Sequence, residues 1–536
     1  MSDTSIAQQI MGLNAKKSGK VTAWLEQLRQ YAIYCLLPVT LFMLWWIAAH
    51  NAWMPVQILP SPEITWQTFK DLSANDLWWQ LGRSLKLFVT GLSLGICGGI
   101  ILGSLLGYSR TVEQYFSATF YALAIIPTLA WLPLFMIWLG IEDALKIFII
   151  FKATLIPIAI HTQAGVRDIP PKLKETAAIL RLSPQMTFLK LLLPASLSYF
   201  FTGLRLAMAA GWTSLIAVEL LASSEGIGYL MVTGRQLFQL DIVFVSIFMI
   251  GLVGIFSDLL LQSLERRFVF WPHAALTAHA VERKSKAQVY KAWLIPVVLV
   301  VFWFLSTAQQ WLSADILPTP FAVGQALFAG ITDGTLLSAM YYSLYHALLG
   351  LALGSVVGII TGIVLGLFKP LQDIFAPTLN TLRLIAIFAW IPLLTAWFGL
   401  GDASKIIFIA LATFFPMFIA SWKGMLNVPQ QLNEAADILK LSIWQKVKIL
   451  ILPSINPAIF AGLRLALLYS WLASFGAEYL MGSGNGIGSY MMAAQQYFEM
   501  DRVIAATLLV TILGAILTWL GKITENRATT WRRHKG

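Results

Sequence analysis

Two glycine-spaced apolar stretches decide the fold of this chain, GLSLGICGGIILGSLLG at residues 91–107 and GLALGSVVGIITGIVLG at residues 350–366. In both stretches glycine recurs every four residues, and the second begins 259 residues after the first. Four-residue spacing places successive glycines on one slowly winding strip of an α-helix. A neighbouring helix can approach such a strip closely, and in lipid this close packing replaces the hydrophobic driving force available in water. The stretches therefore predict the same tight helix seam twice.

The repeat extends over nearly the whole chain, because the same shift also aligns Pro133 with Pro392 and Glu175 with Glu434. Self-similarity at a fixed offset is the signature of a duplicated architecture. We therefore predict two parallel repeats separated by a linker. The predicted parts are an N-terminal cytoplasmic segment 1–30, a first transmembrane repeat 31–267, a cytoplasmic linker 268–290, a second transmembrane repeat 291–523 and a basic cytoplasmic tail 524–536.

The composition predicts an all-α membrane protein. The chain is 58% hydrophobic and only 12% charged, which leaves too little polar surface to cover a soluble particle of 536 residues. Charge-free stretches exceed the roughly 20 residues that a spanning helix needs. Twelve spans are predicted, at 31–50, 84–108, 116–139, 143–162, 190–221 and 242–265 in the first repeat and at 292–311, 343–367, 375–398, 402–422, 449–480 and 502–522 in the second.

The distribution of cations predicts the orientation of the chain in the membrane. Most of the 37 Lys and Arg residues lie beside alternate span ends, and such residues are retained on the cytoplasmic side. Both termini, the linker and the two loops that contain Glu175 and Glu434 are therefore expected in the cytoplasm. The net charge of +11 is accounted for by this topology and needs no nucleic-acid partner. No cleavable signal peptide is expected, because about thirty mostly polar residues precede the first span.

The two cytoplasmic loops contain matching sequences, Glu175-Thr176-Ala177-Ala178 and Glu434-Ala435-Ala436. Asp168 and Asn427, each followed by proline, have the pattern of an N-cap with a first-turn proline. We therefore expect short helices within 168–186 and 427–445, whose small residues suit insertion into a groove on another protein. The chain returns to the membrane through Pro194 and Pro453, where proline limits how a helix can begin.

These loops resemble the cytoplasmic signature loop of the membrane subunits of binding-protein-dependent ABC importers. The resemblance rests on Glu-x-Ala followed at a fixed distance by an apolar residue, any residue and Leu-Pro. Further motifs resemble the nitrate, sulfonate and taurine branch of that superfamily. They are Leu59-Pro60-Ser61-Pro62, Leu317-Pro318-Thr319-Pro320, the segment 126–134, Gly203-Leu204-Arg205-Leu206-Ala207 and Gly462-Leu463-Arg464-Leu465-Ala466. One position departs from the family pattern, because Arg181 and Lys440 stand where glycine is usual.

The resemblance implies a type I ABC importer with the MetI-like permease fold, its two six-helix halves fused in one chain. It implies no catalysis, cofactor or metal in this chain. Because no Gly-x-x-x-x-Gly-Lys-Ser/Thr pattern is present, ATP and Mg belong on a pair of separate ABC ATPase subunits. A periplasmic or lipid-anchored solute-binding protein is the other implied partner. The residues expected to couple the chain to the ATPases are Glu175, Ala177, Ala178, Pro194, Glu434, Ala435, Ala436 and Pro453.

Ionisable residues inside predicted spans are costly and are therefore the first candidates for the substrate pathway. Two pairs occur in both repeats, Arg205 with Arg464 and Glu219 with Glu478, and their repetition favours a structural role over a pathway role. Lys152 and Arg383 break the repeat, since Leu411 and Ala124 occupy the matching positions. We expect at least one of these cations to face a small anion such as a carboxylate or sulfonate, against the alternative of a snorkelling or internally paired cation. Weaker candidates are the matched tryptophans Trp131, Trp390, Trp212 and Trp471, for which packing is the more common role.

Two alternatives remain at this point. An ion-coupled secondary transporter also has twelve spans in two parallel halves, and a membrane scaffold needs no pathway at all. Neither would require two matching cytoplasmic loops, so the loops favour the importer. The sequence does not name the substrate, which could be taurine, another sulfonate, nitrate, a carboxylate or a pyrimidine-like molecule.

Overall fold

A computed structural model describes residues 29–169, 175–177, 179–187, 190–191, 193–269, 286–311, 313, 316–482 and 484–528. Most of segment 1–30, the interior of the linker and most of the tail lie outside these residues. The main helices of the first repeat are α1 (Arg29–His50), α2 (Pro62–Ala74), α3 (Leu77–Tyr108), α4 (Arg110–Ile125), α5 (Leu132–Leu139), α6 (Asp143–Arg167), α7 (Leu193–Leu221), α8 (Ile227–Gln236) and α9 (Leu240–Phe268).

The second repeat follows the same order. Its main helices are α10 (Lys286–Ala308), α11 (Pro320–Thr332), α12 (Thr335–Leu367), α13 (Lys369–Leu382), α14 (Ile391–Phe398), α15 (Asp402–Leu426), α16 (Gln430–Ile438), α17 (Leu452–Met481), α18 (Ile487–Gln496) and α19 (Met500–Ala528). Short helical turns occupy Thr128–Trp131, Pro184–Thr187, Ile387–Trp390, Ile443–Gln445 and Lys446–Ile451. Regular structure within the described residues is entirely helical, as the composition predicted.

The described residues contain ten helices long and apolar enough to cross a membrane, or up to twelve if two bent pairs each count as one span. The predicted all-α membrane fold is therefore confirmed. The chain's third and ninth predicted spans, however, are not continuous helices. Residues Arg110–Ile125 and Thr128–Leu139 meet at 93°, and Lys369–Leu382 and Ile387–Phe398 meet at 94°.

The spans predicted at 116–139 and 375–398 are therefore each formed by a bent pair of helices, because apolar length does not reveal a bend. At the first bend Pro127 has extended backbone, and Ala386 takes the same conformation at the second. Proline lacks the N–H that would continue a helical ladder. Such a break frees backbone groups, which a membrane protein tolerates only where they are buried in protein or line a cavity.

The glycine seam is present in both repeats, where α3 packs on α6 and α12 packs on α15. A Cβ added at Gly99 would lie 2.8 Å from Cβ of Ile158, and one added at Gly358 would lie 2.9 Å from Cβ of Met417. Both separations are shorter than any ordinary carbon contact. The four-residue glycine spacing therefore serves close helix packing, as the sequence predicted.

We predict that Gly99→Ala destabilises the protein by about 1–3 kcal/mol, because the added methyl group overpacks the α3–α6 seam. Gly82→Ala is the matched control on the same helix, since no atom lies within 4 Å of its added Cβ. The control should be neutral or slightly stabilising, because alanine restricts the unfolded chain more than glycine does. Thermal unfolding of the two purified variants in one detergent measures the difference, and equal unfolding temperatures would contradict the packing role.

The two repeats face each other through reciprocal hydrogen bonds. Trp138 Nε1 donates to the carbonyl of Ile316 over 3.2 Å, and Trp397 Nε1 donates to the carbonyl of Ile58 over 3.2 Å. Trp138 and Trp397 occupy equivalent positions of the two repeats. Contacts exchanged in this way are typical of a two-fold, self-complementary interface, so the repeats are arranged as two halves of one body.

The bends of the broken spans lie inside that interface. Leu129 and Ala130 of the first repeat are buried in one cluster with Phe388 and Trp471 of the second. Ala386 and Ala389 of the second repeat are buried in another cluster with residues of α7, α8 and α9. Each repeat therefore places its bend against helices of the other repeat.

Candidate functional site

The two cytoplasmic loops that contain Glu175 and Glu434, called here the Glu-Ala loops, each bury a small residue. Ala436, on α16, is 3% exposed, whereas the neighbouring Ala435 is exposed, and α16 contacts the turn Lys446–Ile451. In the first loop Ala177 is 7% exposed and Glu175 is exposed, and Ala178 lies outside the described residues. Ala177 and Ala436 are thus buried within the permease itself, and their role in coupling to the ATPases stays a prediction. The surface available to a partner is made by exposed neighbours such as Glu434.

The ends of these loops also differ from the predicted caps. Asn427 is the C-cap of α15, and α16 begins at Gln430 directly after Pro429. Asp168 is likewise the C-cap of α6, and its carboxylate accepts a hydrogen bond from Tyr199 Oη over 2.9 Å. The predicted N-cap role of Asn427 is wrong, because Pro429 occupies the N-cap position of α16. The N-cap role of Asp168 stays a prediction, because the residues that follow it at 170–174 lie outside the described part of the chain. Pro170 and Pro171 lie outside the described part of the chain.

The prolines that follow the loops lie where the next spans begin. Pro194 is the second residue of α7, and Pro453 is the second residue of α17. Proline is compatible with the first turn of a helix, because the N–H that it lacks would have no partner there. The helical turn Lys446–Ile451 runs directly into α17.

Arg181 and Lys440, the residues that replace the usual glycine, adopt a left-handed backbone with φ of 47° and 48°. The N–H of Leu182 donates to the carbonyl of Ala177 over 3.1 Å, and the N–H of Leu441 donates to that of Ala436 over 3.1 Å. This six-residue closure is the Schellman motif, in which glycine is favoured. The turn that glycine would form is therefore kept, at a cost of about 1–2 kcal/mol per residue for a side chain in this conformation.

Lys152 lies on α6 and reaches the bend of the first broken span. Its Nζ donates to the carbonyl of Ile126 over 3.2 Å and lies 5.6 Å from the ring centroid of Trp131. No ion pair joins this ammonium to a carboxylate of the described residues. The carbonyl and the aromatic face provide partial compensation for the positive charge. The group retains the capacity to donate to a further acceptor, since an ammonium has three donors.

Arg383 lies at the bend of the second broken span, where it is the C-cap of α13 and is exposed. Within the described part of the chain it forms no ion pair. The two cations that break the repeat therefore both lie at bends. Lys152 reaches its bend from α6, and Arg383 is itself part of the second bend. Their role in a pathway stays a prediction.

The four candidate tryptophans divide into two groups. Trp212 and Trp471 are buried, at 5% and 2% exposure, and pack against Phe88 and against α19. Trp131 stacks on Phe135 at 5.5 Å between ring centroids, and its buried Nε1 has no hydrogen-bond partner among the described residues. Trp390 is partly buried between the two clusters that join the repeats. Only Trp131 and Trp390 therefore lie at the bends.

The paired arginines Arg205 and Arg464 connect helices within their own repeats. Arg205 forms ion pairs with Glu265 at 2.7 Å and Asp258 at 3.6 Å, both on α9. Arg464 forms an ion pair with Glu525 on α19 at 3.2 Å. The structure therefore places each arginine between the fifth and last spans of its repeat.

Glu219 and Glu478 form equivalent buried clamps at the opposite end of the spans from the Glu-Ala loops. In the first repeat, Ser84 Oγ donates to the Glu219 carboxylate over 2.6 Å, and the N–H of Gly228 donates to it over 2.9 Å. In the second, Ser343 Oγ and the N–H of Gly488 donate to Glu478 over 2.6 and 3.1 Å. Each carboxylate thereby fixes the start of a short helix, α8 or α18.

The second clamp contains a buried histidine that the first lacks. His346 Nδ1 lies 3.1 Å from Glu478, and Nε2 lies 3.0 Å from Asp402. Leu87 occupies the matching position of the first repeat. There Arg83 instead joins Asp143 and Glu225, each at 2.7 Å. Sequence reasoning missed both bridges, although a histidine three residues after Ser343, inside a predicted span, was an available signal.

Comparison with known proteins identifies the family. The profile described as "Binding-protein-dependent transport system inner membrane component" matches the chain twice, at residues 95–270 and 354–530. The chain belongs to this family. Each match begins in the glycine-rich helix of one repeat and ends two residues beyond that repeat's last helix. The repeated unit of this chain is therefore the unit that defines the family. The family recognised from the loop motifs is thereby confirmed.

Individual permeases of the family resemble one repeat at a time. A protein named for aliphatic sulfonates transport, the permease SsuC of Escherichia coli (strain K12), is 36% identical over 236 residues, 44% of this chain and 90% of that protein. The nitrate import permease protein NrtB of Leptolyngbya laminosa is 35% identical over 193 residues, 36% of this chain and 69% of that protein. The taurine transport system permease protein TauC of Escherichia coli (strain K12) is 28% identical over 266 residues, 48% of this chain and 97% of that protein. The nitrate, sulfonate and taurine branch is therefore confirmed as the right region of the family.

Proposed function

We propose that this chain is the complete membrane permease of an ATP-driven, binding-protein-dependent importer in a bacterial inner membrane. The observation that carries the proposal is the reciprocal contact between the repeats through Trp138 and Trp397. Permeases of this family provide one such unit, whereas this chain contains two that face each other. The two repeats together then form one translocation pathway.

Two ABC ATPase subunits bind the Glu-Ala loops in this proposal, and they hold the ATP and Mg. A periplasmic or lipid-anchored solute-binding protein docks at the opposite end, near the Gly-Ile-Gly segments that Glu219 and Glu478 fix. Both termini lie in the cytoplasm. ATP drives alternating access because it binds the closed ATPase pair more tightly than the open pair, and it shifts the permease between two packed arrangements.

The proposed substrate is a small anion of the sulfonate, taurine, nitrate or carboxylate type. Lys152 supports this class, because its ammonium meets one carbonyl and one aromatic face and no described carboxylate. Trp131 Nε1, on the ring that Lys152 approaches, is a buried donor without a partner in the described part of the chain. The spare donors of the Lys152 ammonium and the unpaired Trp131 Nε1 suit a ligand that only accepts hydrogen bonds. The names of the relatives agree with this chemistry.

Purification of the chain with its transport partners tests the importer proposal. The expected result is a complex with two ATPase subunits per chain, whose ATP hydrolysis is stimulated by the loaded binding protein. Substrate uptake into proteoliposomes should then require ATP inside. Uptake that proceeds on a proton or sodium gradient without ATP would instead establish the secondary transporter.

We predict that Lys152→Leu, which introduces the second repeat's own residue, lowers substrate uptake about tenfold or more. A hydrogen bond to a charged group contributes roughly 1.5–3 kcal/mol, and its loss at the bend should reduce passage accordingly. Lys152→Arg is the control, since it retains a cation at the same place. Uptake and substrate-stimulated ATPase activity measured for both variants decide the matter, and an unchanged Lys152→Leu protein would remove Lys152 from the pathway.

A further inference from the structure

The left-handed residue that ends each Glu-Ala loop helix is a cation in both repeats. Arg181 and Lys440 have nearly the same φ, and each is the fifth residue of the same six-residue hydrogen-bonded turn, at 177–182 and 436–441. Glycine would adopt this backbone without strain. A strained residue retained in a place where glycine is easier is a reason to look for a function of its side chain.

Both side chains are exposed, and neither forms an ion pair with any residue that the structure describes. Large apolar residues precede each cation along the chain. Ile179 and Ile438 are 80% and 81% exposed, and Leu180 and Leu439 are 64% and 70% exposed. Exposed apolar residues beside a charge are typical of a protein-binding surface with an anchor and a polar rim.

We propose that Arg181 and Lys440 each bind a carboxylate of one ATPase subunit, with the preceding Ile-Leu pair buried in an apolar socket of the same subunit. This inference rests on the proposed function and adds a specific contact to it. Its repetition in both loops suits two equivalent partners. The strained left-handed backbone is retained because a cation at this position binds the ATPase carboxylate, which glycine cannot do.

A carboxylate of a protein accounts for the surface better than a lipid phosphate. The exposed face of α16 contains Glu434 and Asp437, of which Asp437 forms an ion pair with Lys446 at 3.1 Å. The anionic cytoplasmic face of a membrane would repel Glu434, which forms no ion pair among the described residues, while it attracted the cation. A single carboxylate placed on a folded partner can approach Lys440 without meeting these acids.

Glycine substitution separates binding from stability, because the two should change in opposite directions. Lys440→Gly and Arg181→Gly should each raise the unfolding temperature of the purified chain, since glycine removes the backbone strain. Each should also weaken binding of the ATPase subunit about fivefold, the effect of one exposed ion pair at its upper limit. Binding is measured on the full chain in nanodiscs of neutral lipid.

Two control variants identify the cause. Lys440→Arg should bind the ATPase like the unmodified chain, and Lys440→Asn, which tolerates the left-handed backbone without charge, should bind like the glycine variant. The difference between Lys440→Arg and Lys440→Asn should shrink as salt is raised. Glycine variants that bind as tightly as the unmodified chain would overturn the inference, as would a difference that exists only in anionic lipid. Failure of the unmodified chain to bind any ATPase would instead contradict the proposed function itself.

Discussion

Glu478→Ala should destabilise the protein by about 3–5 kcal/mol, because it breaks a buried charged network by removing the central partner. The Glu478 carboxylate accepts from Ser343 and from the N–H of Gly488, and it lies 3.1 Å from Nδ1 of His346. Both Glu478 and His346 are fully buried. Without the carboxylate these donors remain in a site that water does not reach.

Glu219→Ala is the matched control for that variant, since it removes the equivalent clamp of the first repeat. Glu219→Ala should lower the free energy of unfolding by less than Glu478→Ala does, because Leu87 stands in the first repeat where His346 stands in the second. His346→Leu, which copies the first repeat, should recover part of the stability lost in Glu478→Ala when the two are combined. The unfolding temperature is measured in one detergent for the unmodified chain, the two single glutamate variants and the double variant. Equal losses for the two glutamates would show that the histidine bridge contributes nothing.

Ala436→Asp should lower substrate uptake about a hundredfold. Ala436 is 3% exposed, and its helix α16 contacts the turn Lys446–Ile451, which directly precedes α17. An unpaired carboxylate buried there would cost roughly 3 kcal/mol, and since 1.4 kcal/mol is a factor of ten, the loop would hold its present position in about one molecule in a hundred. A displaced α16 cannot transmit ATPase closure to the spans.

Ala435→Asp is the control, because Ala435 is the adjacent residue on the same helix and is exposed. It adds the same charge without burial and should change uptake by less than tenfold. ATP hydrolysis and uptake are measured together in proteoliposomes, and Ala436→Asp should retain hydrolysis that no longer drives transport. If both variants transport equally well, the buried side of α16 has no part in coupling.

The sequence predicted the features that depend on one helix and its solvent. The glycine spacing of 91–107 predicted a seam, and the added-Cβ distance of 2.8 Å at Gly99 agrees with it. Apolar length predicted the number of spans but not the bends near 126 and 385, because a broken span and a straight one bury the same composition. The loop motifs predicted the family correctly, yet they did not predict that Ala436 is buried.

The burial of Ala436 could not be predicted from the sequence, for a reason that applies to the whole candidate site. A small residue on a short helix suits both an external groove and an internal contact, and only the position of the turn Lys446–Ile451 distinguishes the two. His346 was overlooked for a similar reason, since Glu478 is 132 residues away along the chain. Contacts at such separations depend on how helices are arranged, which local patterns do not record.

The sequence by itself determined that this chain lies in a membrane, that it contains one unit twice, and that each unit carries a Glu-Ala loop of a binding-protein-dependent permease. These properties follow from composition and spacing, which act on each helix separately. Only the tertiary structure decided that the repeats exchange equivalent tryptophan contacts, that Lys152 reaches a bend, and that Arg181 keeps the turn of a glycine. Those properties depend on the packing of distant segments, because a hydrogen bond between helices forms only where both are already in place.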